Sequence, residues 1–579
     1  MAIRYTDEKD VQIVLSALVE HGLRRIVVSP GTTNHTLVLS AQQDPRFILY
    51  SCVDERSAAY MACGIAEETG EPVALSCTAA TASRNYFPGL TEAYYRKLPI
   101  LAITSTRTLA QVGQLIDQQI DRSLQPKDTV KLSVNLPYVK DDEDAWECEL
   151  KINEAILELN HHGKGPVHVN LPTRYDHGYN CNALPKIRKI ERFITGDKLP
   201  ELPSVNKIGI YVGAHETMSQ ELTDSIDRFC EKNNAVVFVE HNSGYHGKYG
   251  VHYSLAQNQQ SSSFAGYRPD LVIDMGEIAS WGRMQGNVMW RLSEDGLLKD
   301  PYKKLQYVFE MKEKDFFDYY SKKEGERTTY YQKVSDYVKE VHKDAMNEDF
   351  PFSNIYAAQQ LSPLIPENSE LQFGILSSLR AWNFFDIPSN SLSFANTGGY
   401  GIDGGLSSLV GASFINPEKI YFGVFGDLCF FYDMNALGNR QVSRNVRVLL
   451  VNNGLGEEFK TFFNHCYPWG EATNKFVAAE GHFGHKSPLL VKHYAEDLGF
   501  EYMCASSKEE FQKVYKRFVT PELTDRPMFF EIFTEDKYED AALKQIMNTH
   551  KTAEGGAKNL AKKMLGEKGT QFVKGILGK

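Results

Sequence analysis

Short apolar runs alternate with amphipathic stretches along almost the whole chain. Between residues 1 and 190 the apolar runs 25–29, 47–51, 73–77, 100–104 and 167–170 predict strands, and the segments 10–21 and 55–69 carry a helical period. Strands alternating with helices in this way predict a parallel sheet covered on both faces. Residues 183–206 are rich in Pro, Lys and Arg with weak periodicity, and read as a linker. From residue 207 the rhythm restarts, with strands expected at 208–212, 235–240 and 271–275 and a helix at 217–232. The charged, aromatic stretch 315–349 predicts a helix leading out of this middle block. A third block begins near residue 352, with strands expected at 371–374, 393–395, 420–425, 446–451 and 528–532. The pattern therefore predicts an α/β protein of three doubly wound parallel-sheet domains, at 1–190, 200–345 and 352–550. A basic tail follows at 555–579, its lysines interleaved with Leu560, Met564, Phe572 and Ile576. Such a tail reads as a solvated or loosely docked helix, with a membrane-surface or partner-binding role as the sharper alternative.

Composition narrows the function classes. A net charge of −11 over 579 residues argues against nucleic acid as the main partner, which calls for a basic face. No run of eighteen apolar residues predicts a membrane span, and residues 1–7 lack the apolar core of a signal peptide. The nine cysteines lie far apart with no Cys-x-x-Cys pair, which argues against a zinc site. An odd count without an export signal reads as reduced thiols in a cytoplasmic protein, most of them buried as small hydrophobes.

The candidate chemistry is concentrated in a few motifs. Gly426-Asp427-Leu428-Cys429 follows one apolar run, and Asn452-Asn453-Gly454 closes the next. In a parallel sheet this places Asp427 and Asn453 at the carboxyl ends of neighbouring strands, where α/β sheets bind ligands. A carboxylate beside an amide oxygen makes a hard-oxygen site suited to Mg²⁺ carrying a diphosphate. Earlier in the chain, Glu55 opens a helix directly after a strand within Asp54-Glu55-Arg56. It reads either as a carboxylate favoured by the helix dipole or as a buried acid bonded to a cofactor ring nitrogen. The run from Leu75 to Asn85 is built mostly of small residues, which let a ligand or a facing subunit approach the backbone, or serve tight helix–strand packing.

Taken in order, these pieces resemble the thiamine-diphosphate (ThDP) enzymes of the 2-oxoacid decarboxylase and acetolactate synthase superfamily. The matching residues are Ser29-Pro30-Gly31, Asp54-Glu55-Arg56, Cys77-Thr78 with Asn85-Tyr86-Phe87-Pro88, Thr104 to Arg107, Gln114 to Gln118, Gly401-Ile402-Asp403-Gly404, Gly426-Asp427-Leu428 with Tyr432 to Leu437, and Asn452-Asn453-Gly454. Within that superfamily the resemblance is nearest to the menaquinone-pathway 2-succinyl-5-enolpyruvyl-6-hydroxy-3-cyclohexene-1-carboxylate synthases, which share Leu428 as the third residue of the metal motif. The resemblance implies three domains that bind the cofactor pyrimidine, act as a noncatalytic middle, and bind the diphosphate. It implies that Glu55 bonds the aminopyrimidine ring and so drives the tautomer that takes the proton from the thiazolium. It implies that Asp427, Asn453 and the Leu455 carbonyl ligate Mg²⁺, and that Thr78, Gly426, Leu428 and Cys429 lie against the cofactor. Gln118 matches a family glutamine near the reaction centre. Glu55 and the metal site come from different subunits in such enzymes, which implies a homodimer at least, with a tetramer equally compatible.

The chain departs from the nearest branch where that branch carries arginines for the carboxylates of 2-oxoglutarate and isochorismate. Those positions are Thr33, Thr397 and Phe414 here. Neither threonine nor phenylalanine replaces a forked arginine–carboxylate pair. Arg107 is retained, and Arg380 is the nearest other arginine to the glycine-rich stretch. The expected donor is therefore a smaller or differently charged 2-oxo acid, pyruvate first, with an unknown acceptor. Thr32, Thr33, Asn34 and His35 follow the Ser-Pro-Gly turn, which reaches the site in relatives, so Asn34 and His35 are candidate substrate readers. After the metal motif come Glu457, Lys460 and His465, candidates for proton relay or ordinary surface residues, and farther along His482 and His485. The expected activity is decarboxylation followed by carbon–carbon bond formation. The rivals are simple decarboxylation of the sulfopyruvate or phosphonopyruvate decarboxylase type, and a cofactor-binding scaffold or regulator.

Overall fold

In the computed structural model, residues 3–174, 178–322, 329–481 and 487–551 are described. The basic tail, His482 and His485 lie outside them. The chain divides into two compact units, residues 1–198 with 295–310, and residues 199–294 with 311–579. Its strands fall into three sheets, parallel in every described strand pairing. No helix among the described residues is long and apolar enough to cross a membrane.

The first sheet is built from β1 (Arg25–Val28), β2 (Ile48–Ser51), β3 (Val73–Cys77), β4 (Ile100–Thr106), β5 (Leu132–Asn135) and β6 (Val167–Pro172), in the order β2-β1-β3-β4-β6-β5. Side chains alternate across it because successive strand residues point to opposite faces. Ile26, Ala74, Leu101 and Val169 pack with helices Lys9–Glu20 and Asp142–Glu158. Val27, Leu75, Ile100 and Ala102 pack on the other face with helices Glu55–Thr69 and Phe87–Arg96. The segment expected as a linker holds a strand, β7 (Glu191–Ile194). Its half-buried sequence Glu-Arg-Phe-Ile carries too little apolar signal to stand out.

In the second unit, β8 (Ile208–Val212), β9 (Ala235–Val239), β10 (Gly250–His252), β11 (Leu271–Met275) and β12 (Val288–Leu292) run in the order β10-β9-β8-β11-β12. The following strand, β13 (Leu305–Glu310), belongs to the first unit and pairs with β7 there. The helix expected over 315–349 is two helices, Glu313–Tyr320 and Thr329–Met346.

The third sheet contains β14 (Glu370–Phe373), β15 (Leu392–Ala395), β16 (Tyr421–Gly426), β17 (Val446–Asn452), β18 (Glu501–Ala505) and β19 (Met528–Phe533). Its order, β15-β14-β16-β17-β19-β18, repeats that of the first sheet strand for strand. It too is covered on both faces: Phe422, Val424, Leu449 and Phe530 face one core, Tyr421, Phe425, Leu450 and Phe529 the other. In both sheets the strand order reverses beside the first strand, and the crevice outside the carboxyl ends at such a reversal is where α/β sheets bind ligands.

Candidate active site

In the second unit, β16 runs without a break into helix Asp427–Asp433, so Asp427 stands at the carboxyl edge as the first residue of the helix. The register pairs Gly426 with Val451, which brings the end of β17 alongside. Asp427 is 4% exposed. Its Oδ1 accepts the Leu428 N–H at 2.6 Å, and its Oδ2 accepts the Gly454 N–H. Gly454 has φ +82°, a left-handed turn that suits glycine and folds the loop over the carboxylate. Asn453 donates from Nδ2 to Glu457 Oε2 at 2.9 Å, and its Oδ1 accepts the Leu455 N–H at 3.3 Å. Burial pushes the Asp427 carboxyl up to about 6, and the N–H groups of Gly454 and Leu428 limit the rise.

A cavity of about 250 Å³ opens on this edge, lined by Gly426, Asp427, Leu428, Cys429, Asn453, Leu455 and Glu457 among others. Two further carboxylates crowd it. Burial holds the Glu457 carboxyl well above its usual range, reinforced by Glu539 and Asp536. Glu457 Oε1 is buried with no hydrogen-bond partner among the described residues. Burial also lifts Glu539 to about 7, although its carboxylate accepts the Asn354 N–H at 2.9 Å. Clustered carboxylates, one with an orphaned oxygen, next to an amide oxygen form an oxygen-only donor set with excess negative charge. Such a set suits a hard divalent cation. Burial raises the Cys429 thiol to about 12, so it acts as a small apolar lining group. An adjoining cavity of about 40 Å³ holds Arg380, whose Nη1 lies 2.5 Å from Glu458 Oε2 and whose guanidinium lies 5.4 Å from the Trp281 ring centroid.

In the first unit the candidate residues also gather at carboxyl strand ends. Glu55 is the first residue of its helix, but the cap is Asp54, whose carboxylate accepts the N–H groups of Arg56 at 2.9 Å and Ser57 at 3.2 Å. Glu55 is therefore not spent on capping; Asn85 Nδ2 donates to its Oε2 at 3.3 Å. Thr78, just past β3, meets Thr33 hydroxyl to hydroxyl at 2.8 Å. Gly31 permits this contact, since a Cβ there would fall 2.3 Å from the Thr78 Cβ. Asn34 is fully buried and donates to the Ser29 carbonyl at 3.0 Å and the Ser76 hydroxyl at 3.1 Å, joining the ends of β1 and β3. His35 Nδ1 lies 2.6 Å from the Thr32 carbonyl, and Thr32 itself is exposed. Arg107, past the end of β4, pairs with Asp117 at 3.5 Å and lines a cavity of about 310 Å³ with Lys140 and Arg174. Gln118 is exposed, with φ +57°.

The remaining candidates are scattered. Thr397 is buried just past β15, and Phe414 is half-buried at the end of helix Gly405–Ser413. Lys460 Nζ donates to Asn474 Oδ1 at 2.6 Å and to the Gly470 carbonyl at 3.1 Å, closing the loop after the metal motif. His465 is exposed on that loop. The structure thus groups Asp427, Leu428, Asn453, Leu455 and Glu457 around one cavity, and separately groups Thr33 with Thr78 and Glu55 with Asn85. Sequence reasoning missed Asn354 and Glu539, and gave no role to Glu458, which stands in the segment Gly456 to Lys460 expected to cover the site. The one available signal for Glu539 was the acidic run from Glu535 to Asp540 after β19.

Known proteins resemble this chain over most of its length. The thiamine pyrophosphate enzyme N-terminal TPP-binding domain family matches residues 10–125. The curated 2-succinyl-5-enolpyruvyl-6-hydroxy-3-cyclohexene-1-carboxylate synthase of Bacteroides thetaiotaomicron is 32% identical over 559 residues, covering 93% of this chain and 98% of that protein. The protein of the same name from Bacteroides fragilis is 31% identical over 568 residues, with 93% and 98% covered. That from Flavobacterium johnsoniae is 28% identical over 568 residues, with 92% and 97% covered.

Proposed function

Because the chain belongs to the 2-succinyl-5-enolpyruvyl-6-hydroxy-3-cyclohexene-1-carboxylate synthase family of thiamine-diphosphate-dependent enzymes, we propose that it decarboxylates a 2-oxo acid and joins the remaining fragment to an acceptor. When bound, thiamine diphosphate supplies the nucleophilic carbon and the electron sink for this chemistry. The observation that carries the reading is the buried Asp427 beside Asn453 and the orphaned Glu457 oxygen, on a cavity at the carboxyl edge of β16 and β17. In this reading Asp427, Asn453 and the Leu455 carbonyl hold Mg²⁺, which carries the diphosphate. Thr78, Gly426, Leu428 and Cys429 shape the cofactor cradle. Glu55, spared the capping role by Asp54, would hold a proton at the cofactor's aminopyrimidine nitrogen, and Gln118 would attend the reacting carbon. Glu55 reaches the metal site of a second copy, so a homodimer is the working unit, alone or within a tetramer. Nine free thiols accord with a reducing, cytoplasmic setting.

Pyruvate is the proposed donor. Thr33, Thr397 and Phe414 offer no charge where a longer dicarboxylate needs a forked partner, while Arg107 remains for one carboxylate. Thr32, Asn34, His35, Lys460 and His465 complete the substrate side, Asn34 by holding strand ends. A second reading has its own support: the relatives that match over nearly their full length carry the synthase name. One experiment separates the readings. The Mg²⁺–ThDP-loaded protein is given pyruvate with a panel of acceptors and, separately, 2-oxoglutarate with isochorismate, and CO₂ and products are followed. Pyruvate turnover with a ligated product supports the proposal. Turnover confined to the second pair supports the synthase reaction, and aldehyde release alone leaves simple decarboxylation. Glu55→Gln is expected to abolish turnover while Mg²⁺–ThDP binding persists; undiminished turnover overturns the mechanism and reopens the scaffold reading.

A further inference from the structure

We propose that His161, His162 and Glu310 form a second metal site, for a first-row divalent cation of the Zn²⁺ class. Helix Asp142–Glu158 ends and the chain turns sharply through His161, His162 and Gly163. His162 has φ +45° and Gly163 φ +97°, a left-handed turn that histidine enters more readily than most non-glycine residues. The turn aims both imidazoles at one carboxylate at the end of β13. His161 Nε2 lies 2.8 Å from Glu310 Oε2, and His162 Nε2 lies 2.6 Å from Glu310 Oε1. The two rings are 4.0 Å apart between centroids, and one donor atom from each of the three residues falls within 4.8 Å of the others.

Proton counting favours a cation here. The other nitrogen of His161, Nδ1, lies 2.8 Å from Glu158 Oε2. A neutral imidazole has one N–H. If His161 gives it to Glu158, Nε2 turns a lone pair on the lone pairs of Glu310. That contact is repulsive unless a positive charge lies between. A divalent ion accepts the imidazole and carboxylate lone pairs together, and the Glu158–His161 bond becomes the carboxylate–histidine support found behind metal-bound histidines. Lys131 Nζ, 3.3 Å from Glu158 Oε1, anchors that support. Arg192 does not occupy the Glu310 oxygens: its Nε donates to the Gly296 carbonyl at 3.0 Å and stays 3.9 Å from Oε2. The Glu310 carboxylate is also hemmed in, since a Cβ on Gly296 would fall 2.3 Å from Oε2. Three protein donors leave coordination positions for water. His161 and His162 line a cavity of about 380 Å³ that also holds His21, Asn160 and Asp197, large enough for a small exchangeable ligand. Cysteine spacing argued against zinc, but this donor set uses no thiolate. All of it lies in the first unit and none of it serves the proposed catalytic chemistry.

The test titrates the full-length enzyme, saturated with Mg²⁺ and ThDP, with Zn²⁺ by calorimetry, and with Co²⁺ by its visible absorption bands. The wild type is expected to bind one Zn²⁺ per chain. His162→Gln and Glu310→Gln should each weaken binding about tenfold or more, since even supporting residues around a metal are worth that much. His162 is exposed, so His162→Gln stays informative if near-ultraviolet circular dichroism shows Glu310→Gln misfolded. Absence of stoichiometric Zn²⁺ binding, or unchanged affinity in His162→Gln, overturns the proposal and leaves histidine–carboxylate hydrogen bonds in its place.

Discussion

At the scale of the single residue, burial decides more than residue type. Asp10 sits in the first turn of helix Lys9–Glu20, where an exposed aspartate would favour the dipole. Here it is fully buried: Oδ1 accepts the Val11 N–H at 2.9 Å, and Oδ2 has no hydrogen-bond partner among the described residues. Burial, with the charge of Glu8 behind it, pushes this carboxyl up to about 8. The folded state therefore keeps a proton that the unfolded chain releases near pH 4. Stability is unpenalised below pH 4, falls as pH rises from about 4 to 8, and levels off above. The slope is at most about 1.4 kcal/mol per pH unit from this group. Asp10→Asn should remove that dependence, so its melting temperature relative to wild type should rise between pH 5 and pH 9. A constant difference across that range would exclude the effect. In the proposed Mg²⁺ site the charge of Asp427 is the working part: Asp427→Asn should abolish Mg²⁺-dependent ThDP binding in a calorimetric titration and leave the circular dichroism spectrum intact.

At the scale of elements, fully buried strands were legible most sharply, while the partly exposed edge strand β2 stood out only through its apolar run from Phe47 to Tyr50. Val73–Cys77, Ile208–Val212 and Leu271–Met275 were read to the residue because all five positions of each are buried and four are apolar or, at Tyr211, aromatic in the middle of such a run. The strands missed at sheet ends, β5, β10 and β18, are only partly buried and mix polar with apolar residues. β12 was hidden by Arg291, a charge buried in a strand because Asp274 pairs with it at 2.8 Å. Close approach between elements also gives a prediction. A methyl at position 31 must displace the Thr78 side chain, and with it the Thr33–Thr78 hydrogen bond. Gly31→Ala should destabilise the protein by about 1–3 kcal/mol, as overpacking does. It should also weaken ThDP binding in the same titration; a variant as stable and as tight-binding as wild type would show that this contact is not needed.

At the scale of the molecule, one strand order occurs twice, and in both sheets the candidate residues stand at the carboxyl edge. The helix that begins with Glu55 exposes Tyr60 at 47% and Met61 at 41%, with Val53 at 76% before it and Tyr95 at 67% on helix Phe87–Arg96. Exposed apolar side chains on two helices packed together suit an association surface. In the proposed homodimer the second copy packs there, bringing its proposed metal site to Glu55. The double variant Tyr60→Asp, Met61→Asp should shift the mass seen by light scattering towards the monomer and lower turnover at least about tenfold. A dimer of undiminished activity would place the interface elsewhere.

By itself the sequence determined the α/β class and the cofactor family, and put Asp427 and Asn453 at the carboxyl edge of neighbouring strands. A residue that follows a strand in a parallel sheet lies at the carboxyl edge whatever the rest of the chain does, so a short-range pattern suffices. It also singled out Glu55, but only the structure separated it from the cap, because Asp54 and Glu55 are equivalent until the backbone angles choose one. Tertiary structure alone brought Glu539 and Asn354 to the metal-motif cavity, set Arg380 against Glu458, buried Asp10, and joined His161 to Glu310 across 149 positions. Those pairings depend on where packed elements leave charge without water, and no local periodicity carries that information.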